Sequence, residues 1–185
     1  MHVATTPLDG VLLLTPRVFG DERGYFLEAW NQRSFDEVVG ERVTFVQDNR
    51  SRSARGVLRG LHYQLPPAAQ GKLVSVLEGS IYDVVLDLRP DAKTFGQPYG
   101  VELRAEDHTM IWAPPGLAHG FLVTSPSATI AYKTTDYYSP QHERGIRWDD
   151  PQLAIAWPRQ GMDPILSPKD AVAPPLAEAD LIPAG

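Results

Sequence analysis

The chain has 185 residues, a formal net charge of −6 at pH 7, no cysteine, 17 prolines and 15 glycines. That length suits one domain with a substantial core, and the acidic balance argues against a general nucleic-acid binder, which needs a basic face to neutralise phosphates. Without cysteine there are no disulfides, no thiolate nucleophile and no cysteine-held zinc or iron–sulfur cluster.

Taken in chain order, short runs rich in Val, Ile, Leu and aromatics, punctuated by Pro and Gly, predict strands over 10–15 and 24–30. A short helix is expected over 34–39, where Ser34 and Glu37 have capping-box spacing and Gly40 supplies a left-handed stop. Strands follow over 43–49, 56–64, 72–77, 81–88, 98–102, 109–112, 119–124 and 129–134. The runs 72–77 and 81–88 flank Glu78-Gly79-Ser80 and read as a strand pair around a glycine turn. Both are apolar at odd and even positions, so each is expected to be covered on both faces, by a sandwich partner and by another subunit. Residues 171–185 are Ala/Pro-rich without periodicity and read as a surface-draped or mobile tail, so the expected domain is 1–170. No apolar run approaches the ~20 residues that cross a bilayer, and Met1–Gly10 lacks the charged and apolar regions of a secretory signal. A cytoplasmic chain with no membrane partner is expected. Many short strands at regular spacing suit an all-β jelly roll or related barrel with one or two short helices.

The five histidines raise the question of a metal. Gly56-x5-His62 and Pro114-x-Gly116-x-x-His119 resemble the skeleton of the two metal-binding cupin motifs, but Gln64 stands where the second histidine of such a motif would be, and no glutamate follows within four residues. Two histidines remain from a pattern that needs three and a carboxylate, so neither a metal nor another cofactor is expected. His62 is then a candidate acid or base, because imidazole titrates nearest neutrality. Arg59 lies three residues before it, and on a regular strand the two would face opposite sides. Either the strand bulges or Arg59 serves a different pocket. Arg50, Arg52, Arg55 and Arg59 together offer a local positive site for a small anion in an otherwise acidic protein.

Nine segments occur together in one order and spacing. They are Asp21-Glu-Arg-Gly-Tyr-Phe-Leu-Glu28, Gln47-Asp-Asn49, Gly56-Val-Leu-Arg-Gly-Leu-His-Tyr-Gln64, Gln70-Gly-Lys-Leu-Val74, Tyr82-Asp-Val-Val-Leu-Asp-Leu-Arg89, Ala118-His-Gly-Phe121, Tyr132-Lys-Thr-Thr-Asp-Tyr-Tyr138, Trp148-Asp-Asp-Pro151 and Leu166-Ser-Pro-Lys-Asp170. In these the chain resembles the dTDP-4-dehydrorhamnose 3,5-epimerase family over nearly its whole length. The resemblance implies a cupin-type jelly roll, a homodimer with exchanged strands, and a nucleotide-sugar substrate inverted at carbons flanking a C4 ketone. It implies His62 as base, Asp170 as its partner carboxylate, Tyr132 as acid and Lys72 as stabiliser of the enolate. It assigns Arg23, Glu28, Gln47, Asn49 and Arg59 to the nucleotide and diphosphate, and His119, Glu143 and Lys169 to the remaining ligand contacts. Pro168 departs from the family's Ser-x-Lys-Asp loop and could shift how Asp170 meets His62. Asp83, among valines, is expected to hydrogen-bond near the site. A single-site 3- or 5-epimerase and a non-catalytic sugar-binding cupin are the alternatives.

Overall fold

The computed structural model describes residues 1–181. Among them the strands are β1 (His2–Thr5), β2 (Leu12–Thr15), β3 (Val18–Asp21), β4 (Gly24–Leu27), β5 (Gln47–Ala54), β6 (Leu58–Gln64), β7 (Lys72–Glu78), β8 (Ser80–Asp87), β9 (Pro98–Arg104), β10 (Met110–Ala113), β11 (Leu117–Val123), β12 (Ser127–Thr134) and β13 (Glu143–Gly145). Two short helices join them, α1 (Gln32–Val39) and α2 (Pro168–Ala171). One sheet has six strands in the order β1-β2-β10-β7-β12-β5, the other five in the order β13-β6-β11-β8-β9, and β3 with β4 forms a separate ribbon. Most neighbours in space are distant in sequence, which is the connectivity of a cupin-type jelly roll.

The expected hairpin over 72–77 and 81–88 does not form: β7 lies between β10 and β12 in the six-stranded sheet, and β8 between β11 and β9 in the other. Gly79, at φ 77°, turns the chain from one sheet to the other, and a Cβ there would sit 2.1 Å from the Ser127 carbonyl oxygen. Each run is two-sidedly apolar because each strand is central in its own sheet. Val74, Val76, Ile81, Val85, Phe121 and Ile130 pack between the sheets. On the outer faces, residues of this chain itself supply cover. Phe35 of α1 packs with Trp30, Phe45 and Trp112 over Leu14 and Leu73. Leu153, Trp157, Leu166 and Leu176 cover Leu58, Leu61, Val84 and Leu86. Each fully buried aliphatic side chain of this kind contributes about 1.5–3 kcal/mol.

Two elements begin elsewhere than the sequence predicts. The N-cap of α1 is Asn31, whose side chain accepts from the Ser34 backbone N–H at 3.2 Å, so Ser34 lies inside the first turn; Gly40 ends the helix as expected, at φ 84°. The strand expected over 43–49 is β5, which starts only at Gln47. Val43 and Phe45 leave the sheet to join the core under α1, while the polar stretch Arg50-Ser-Arg-Ser-Ala54 pairs fully with β12. Its alternation is among polar residues, so no hydrophobic period marked it. After α2, residues 172–181 lie along the five-stranded sheet. The Tyr63 hydroxyl donates to the Asp180 carbonyl oxygen at 2.5 Å, Arg144 meets the Asp180 carboxylate at 2.9 Å, and Leu176 N–H donates to Asp150 at 2.7 Å. Residues 182–185 of the expected tail lie outside the described residues. Among the described residues no helix is long and apolar enough to cross a membrane.

Candidate active site

Strand alternation brings the polar residues of β5, β6, β7, β12 and β13 to one end of the space between the sheets. There they line a cleft of about 240 Å³, walled by Gln47, Asn49, His62, Lys72, Tyr132 and Glu143, with Gln70 and Tyr138 from the adjoining loops. Tyr132 and Lys72 enter from the six-stranded sheet, His62 and Glu143 from the five-stranded one. The choice left open for Arg59 is decided by a bulge. Between β6 and β11, the three-residue step Arg59 to His62 spans the two-residue step Phe121 to His119. The extra residue changes the parity, so Leu58, Leu61 and Tyr63 go to the outer core while Arg59 and His62 share the inner face. Gly60 permits this close approach: it has φ 113°, and a Cβ there would lie 2.5 Å from Gly120 Cα. Arg59 then reaches across the sheets, donating from Nε to the Ser53 hydroxyl at 3.1 Å.

His62 Nε2 lies 2.5 Å from Oδ1 of the buried Asp170. Burial pushes the Asp170 carboxyl up, but the hydrogen bond and charge of His62, with the Ser167 hydroxyl, hold it below the usual carboxylate range. An ionised Asp170 only accepts, so Nε2 carries the proton and Nδ1 is left able to take one. Lys72 donates from Nζ to the His62 carbonyl oxygen at 3.2 Å. Burial drives its pKa down from 10.5 to about 8, against the pull of Glu143 and Asp83, so at neutral pH it stays mostly charged. Burial also raises the Tyr132 phenol, with Arg59 acting in the opposite direction.

At the mouth, Glu143 accepts from Lys169 at 2.7 Å and from the Tyr138 hydroxyl at 2.9 Å. Burial raises its carboxyl, and these partners more than reverse that. Gln47 donates to Asn49 at 2.8 Å. His119 sits opposite His62 in the strand register, buried, with Nε2 2.8 Å from Asp83 Oδ2. Asp83 thus makes the hydrogen bond expected of it through Oδ2, while Oδ1 has no partner among the described residues. Gln64 donates to the carbonyls of Ala68 and Tyr137 and accepts from Ser139 N–H, stapling two loops where a metal-binding cupin carries a histidine. Pro168 occupies the first position of α2 behind the Ser167 N-cap, a place proline suits, and Asp170 still meets His62.

Of the expected residues, Arg59 and His119 lie outside the lining of this cleft, Lys169 and Asp170 line the adjoining one beside His62 and Glu143, and two more stand apart altogether. Arg23 sits on the β3–β4 ribbon, exposed and paired with Asp21. Glu28, just past β4, is also exposed. Conversely, Tyr138 and Gln70 line the cleft and Ser167 bonds Asp170, though the resemblance gives none of the three a role. They lie inside the quoted segments, yet only the loop path shows which of the side chains there turn inward.

A cupin-type barrel whose mouth gathers an imidazole–carboxylate pair, an ammonium and a phenol is built for acid–base chemistry on a small molecule. The chain belongs to the dTDP-4-dehydrorhamnose 3,5-epimerase family, whose model matches residues 5–178. It is 52% identical to the dTDP-4-dehydrorhamnose 3,5-epimerase of Pseudomonas aeruginosa over 99% of this chain and all of the relative. It is 37% identical to the dTDP-4-dehydrorhamnose 3-epimerase of Streptomyces niveus, over 97% and 86% of the two chains. A crystal structure of the Legionella pneumophila dTDP-6-deoxy-D-glucose-3,5-epimerase in complex with dTDP-4-keto-L-rhamnose superposes with a TM-score of 0.95 at 48% identity, covering 100% of this chain and 98% of that one.

Proposed function

We propose that this protein inverts C3 and C5 of dTDP-4-keto-6-deoxy-D-glucose to give dTDP-4-keto-L-rhamnose. The observation that carries this reading is the entry of His62 and Tyr132 into one cleft from opposite sheets, with a charged, half-buried lysine beside them. A C4 ketone acidifies the hydrogens on C3 and C5, since loss of either leaves an enolate with its charge on the C4 oxygen. In this reading His62 Nδ1 takes the proton from one face, and the charge on the resulting imidazolium is balanced by Asp170. Lys72 holds the enolate oxygen, and Tyr132 returns a proton to the opposite face. The phenolate and imidazolium then re-equilibrate with solvent, and the cycle repeats at the second carbon.

Arg59, Gln47, Asn49, His119, Glu143 and Lys169 are read as ligand contacts, with Arg59 suited to forked contact with phosphate oxygens. The protein is read as a homodimer in which Arg23 and Glu28 serve the partner's cleft. Support comes from the β3–β4 ribbon, which leaves Phe19, Tyr25 and Phe26 exposed. Residues 1–170 are taken as the catalytic domain and 171–185 as a tail. A cytoplasmic location follows from a substrate that is a nucleotide-activated sugar, a metabolite used inside cells. Greater identity to the double epimerase of P. aeruginosa than to the 3-epimerase of S. niveus favours inversion at both carbons.

Proton NMR of the keto sugar in deuterated water tests this. The expected outcome is loss of both the C3 and C5 signals with wild-type protein and of neither with His62→Ala. Tyr132→Phe should exchange without completing inversion. Loss of one signal would reassign the protein as a single-site epimerase, and loss of none would set the epimerase reading aside.

A further inference from the structure

We propose that Ser167 is a positioning residue for the His62–Asp170 pair, orienting the carboxylate through a donated hydrogen bond as well as capping the helix that carries it. This rests on the reading of His62 as the base. The Ser167 oxygen makes two contacts with one residue: it accepts from the Asp170 backbone N–H at 3.1 Å and donates to Asp170 Oδ2 at 2.8 Å. The other carboxylate oxygen, Oδ1, faces His62 Nε2 at 2.5 Å. A carboxylate turns easily about its last torsion. Here one oxygen is held by the hydroxyl and the other by the ring, so that torsion is locked with Oδ1 aimed at the imidazole.

Little else fixes Asp170 so directly. Helix α2 is one turn of four residues, too short to be stable by itself, and it is held at its start by Ser167 and Pro168. The hydroxyl also has no freedom of role: the amide N–H can only donate to it and the ionised carboxylate can only accept from it, so its proton is the one that goes to Oδ2. Releasing Oδ2 would let the carboxylate swing and loosen its hold on Nε2. The imidazole would then lose its fixed tautomer, and proton abstraction would slow without loss of substrate affinity.

Three substitutions separate orientation from capping. Aspartate is a good N-cap acceptor but has no proton to donate and sets a second negative charge beside Asp170; threonine supplies both functions; alanine supplies neither. Ser167→Asp and Ser167→Ala should each lower kcat on the order of tenfold, the size expected for one hydrogen bond to a charged group, with KM within about twofold. Ser167→Thr should stay within about twofold of wild type in both. Proton NMR of the ligand-free protein gives a readout independent of turnover. The Nε2 proton shared with Asp170, identified by its absence in His62→Ala, should persist in Ser167→Thr and be lost or broadened in the other two. Wild-type kcat in Ser167→Asp, an unchanged Nε2 proton in that variant, or a Ser167→Thr as slow as Ser167→Ala would each overturn the inference and leave Ser167 a helix cap. If the NMR pattern holds while the wild-type protein leaves the keto sugar unchanged, the positioning role stands and the epimerase reading is what fails.

Discussion

At the scale of single residues, Lys72 carries the sharpest conflict between stability and chemistry. Its ammonium is held in the wall of the cleft, where burial brings its pKa from 10.5 to about 8. That displacement corresponds to roughly 3 kcal/mol at 1.36 kcal/mol per unit. Between about pH 8 and 10.5 the unfolded chain binds a proton that the folded protein has released, so this residue's contribution makes stability rise with pH through that window. Lys72→Met should therefore raise Tm at pH 7, by about 3–8 °C once the lost bond to the His62 carbonyl is allowed for. It should also cut kcat by about 10²–10³-fold, the scale of removing a preorganised charge from an oxyanion. Calorimetry and steady-state kinetics on one preparation check both; a variant less stable than wild type would mean that the ammonium is satisfied where it lies. In the wild type, kcat/KM should fall above about pH 8 as Lys72 loses its proton.

Among elements, the bulge in β6 is what makes the site. Without the extra residue between Arg59 and His62, one of the two would point into the outer core beside Leu61. Gly60→Ala places a methyl against Gly120 Cα and the His119 carbonyl, in a left-handed conformation that alanine resists. The expected cost is about 2–4 kcal/mol, read by thermal unfolding. Activity measured well below the variant's Tm should drop further than stability alone accounts for, because Arg59 and His62 lose their common face. Normal kcat/KM in a folded Gly60→Ala would show that the parity change is not needed. The sequence showed the conflict, since a three-residue spacing is odd in a strand, but not its resolution. A bulge is defined by the partner strand, and β11 lies more than fifty residues downstream. The same holds for β7 and β8, where two apolar runs around a glycine suit a hairpin and a sheet-to-sheet corner equally well.

For the molecule as a whole, the outstanding question is what completes the cleft. Arg23 and Glu28 stand apart from it, on or just after a ribbon that also exposes Phe19, Tyr25 and Phe26. If the ribbon serves a second copy, a mixture of His62→Ala and Arg23→Ala protomers forms hybrid dimers holding one intact site, and activity should return to about a quarter of wild type. Each variant alone should be strongly impaired. Mixing after dissociation and refolding, followed by an activity assay, checks this; no recovery would place Arg23 outside the partner's site.

The sequence by itself determined the all-β class, the family and, through motif matching, Gln47, Asn49, His62, Lys72, Tyr132 and Glu143 among the residues that line the cleft. These depend on local composition and on residues whose chemistry is the same wherever the chain puts them. The tertiary structure decided that Arg59 and His62 share a face, that Asp170 reaches His62 from 108 positions away, and that Ser167 and Gln64 hold the parts in place. The His62–Asp170 and Gln64–Ser139 bonds join segments that the linear order keeps apart, the shared face of Arg59 and His62 is set by which strands pair and where β6 gains one residue, and the Ser167–Asp170 bond, though local, acts only because the fold brings α2 to His62.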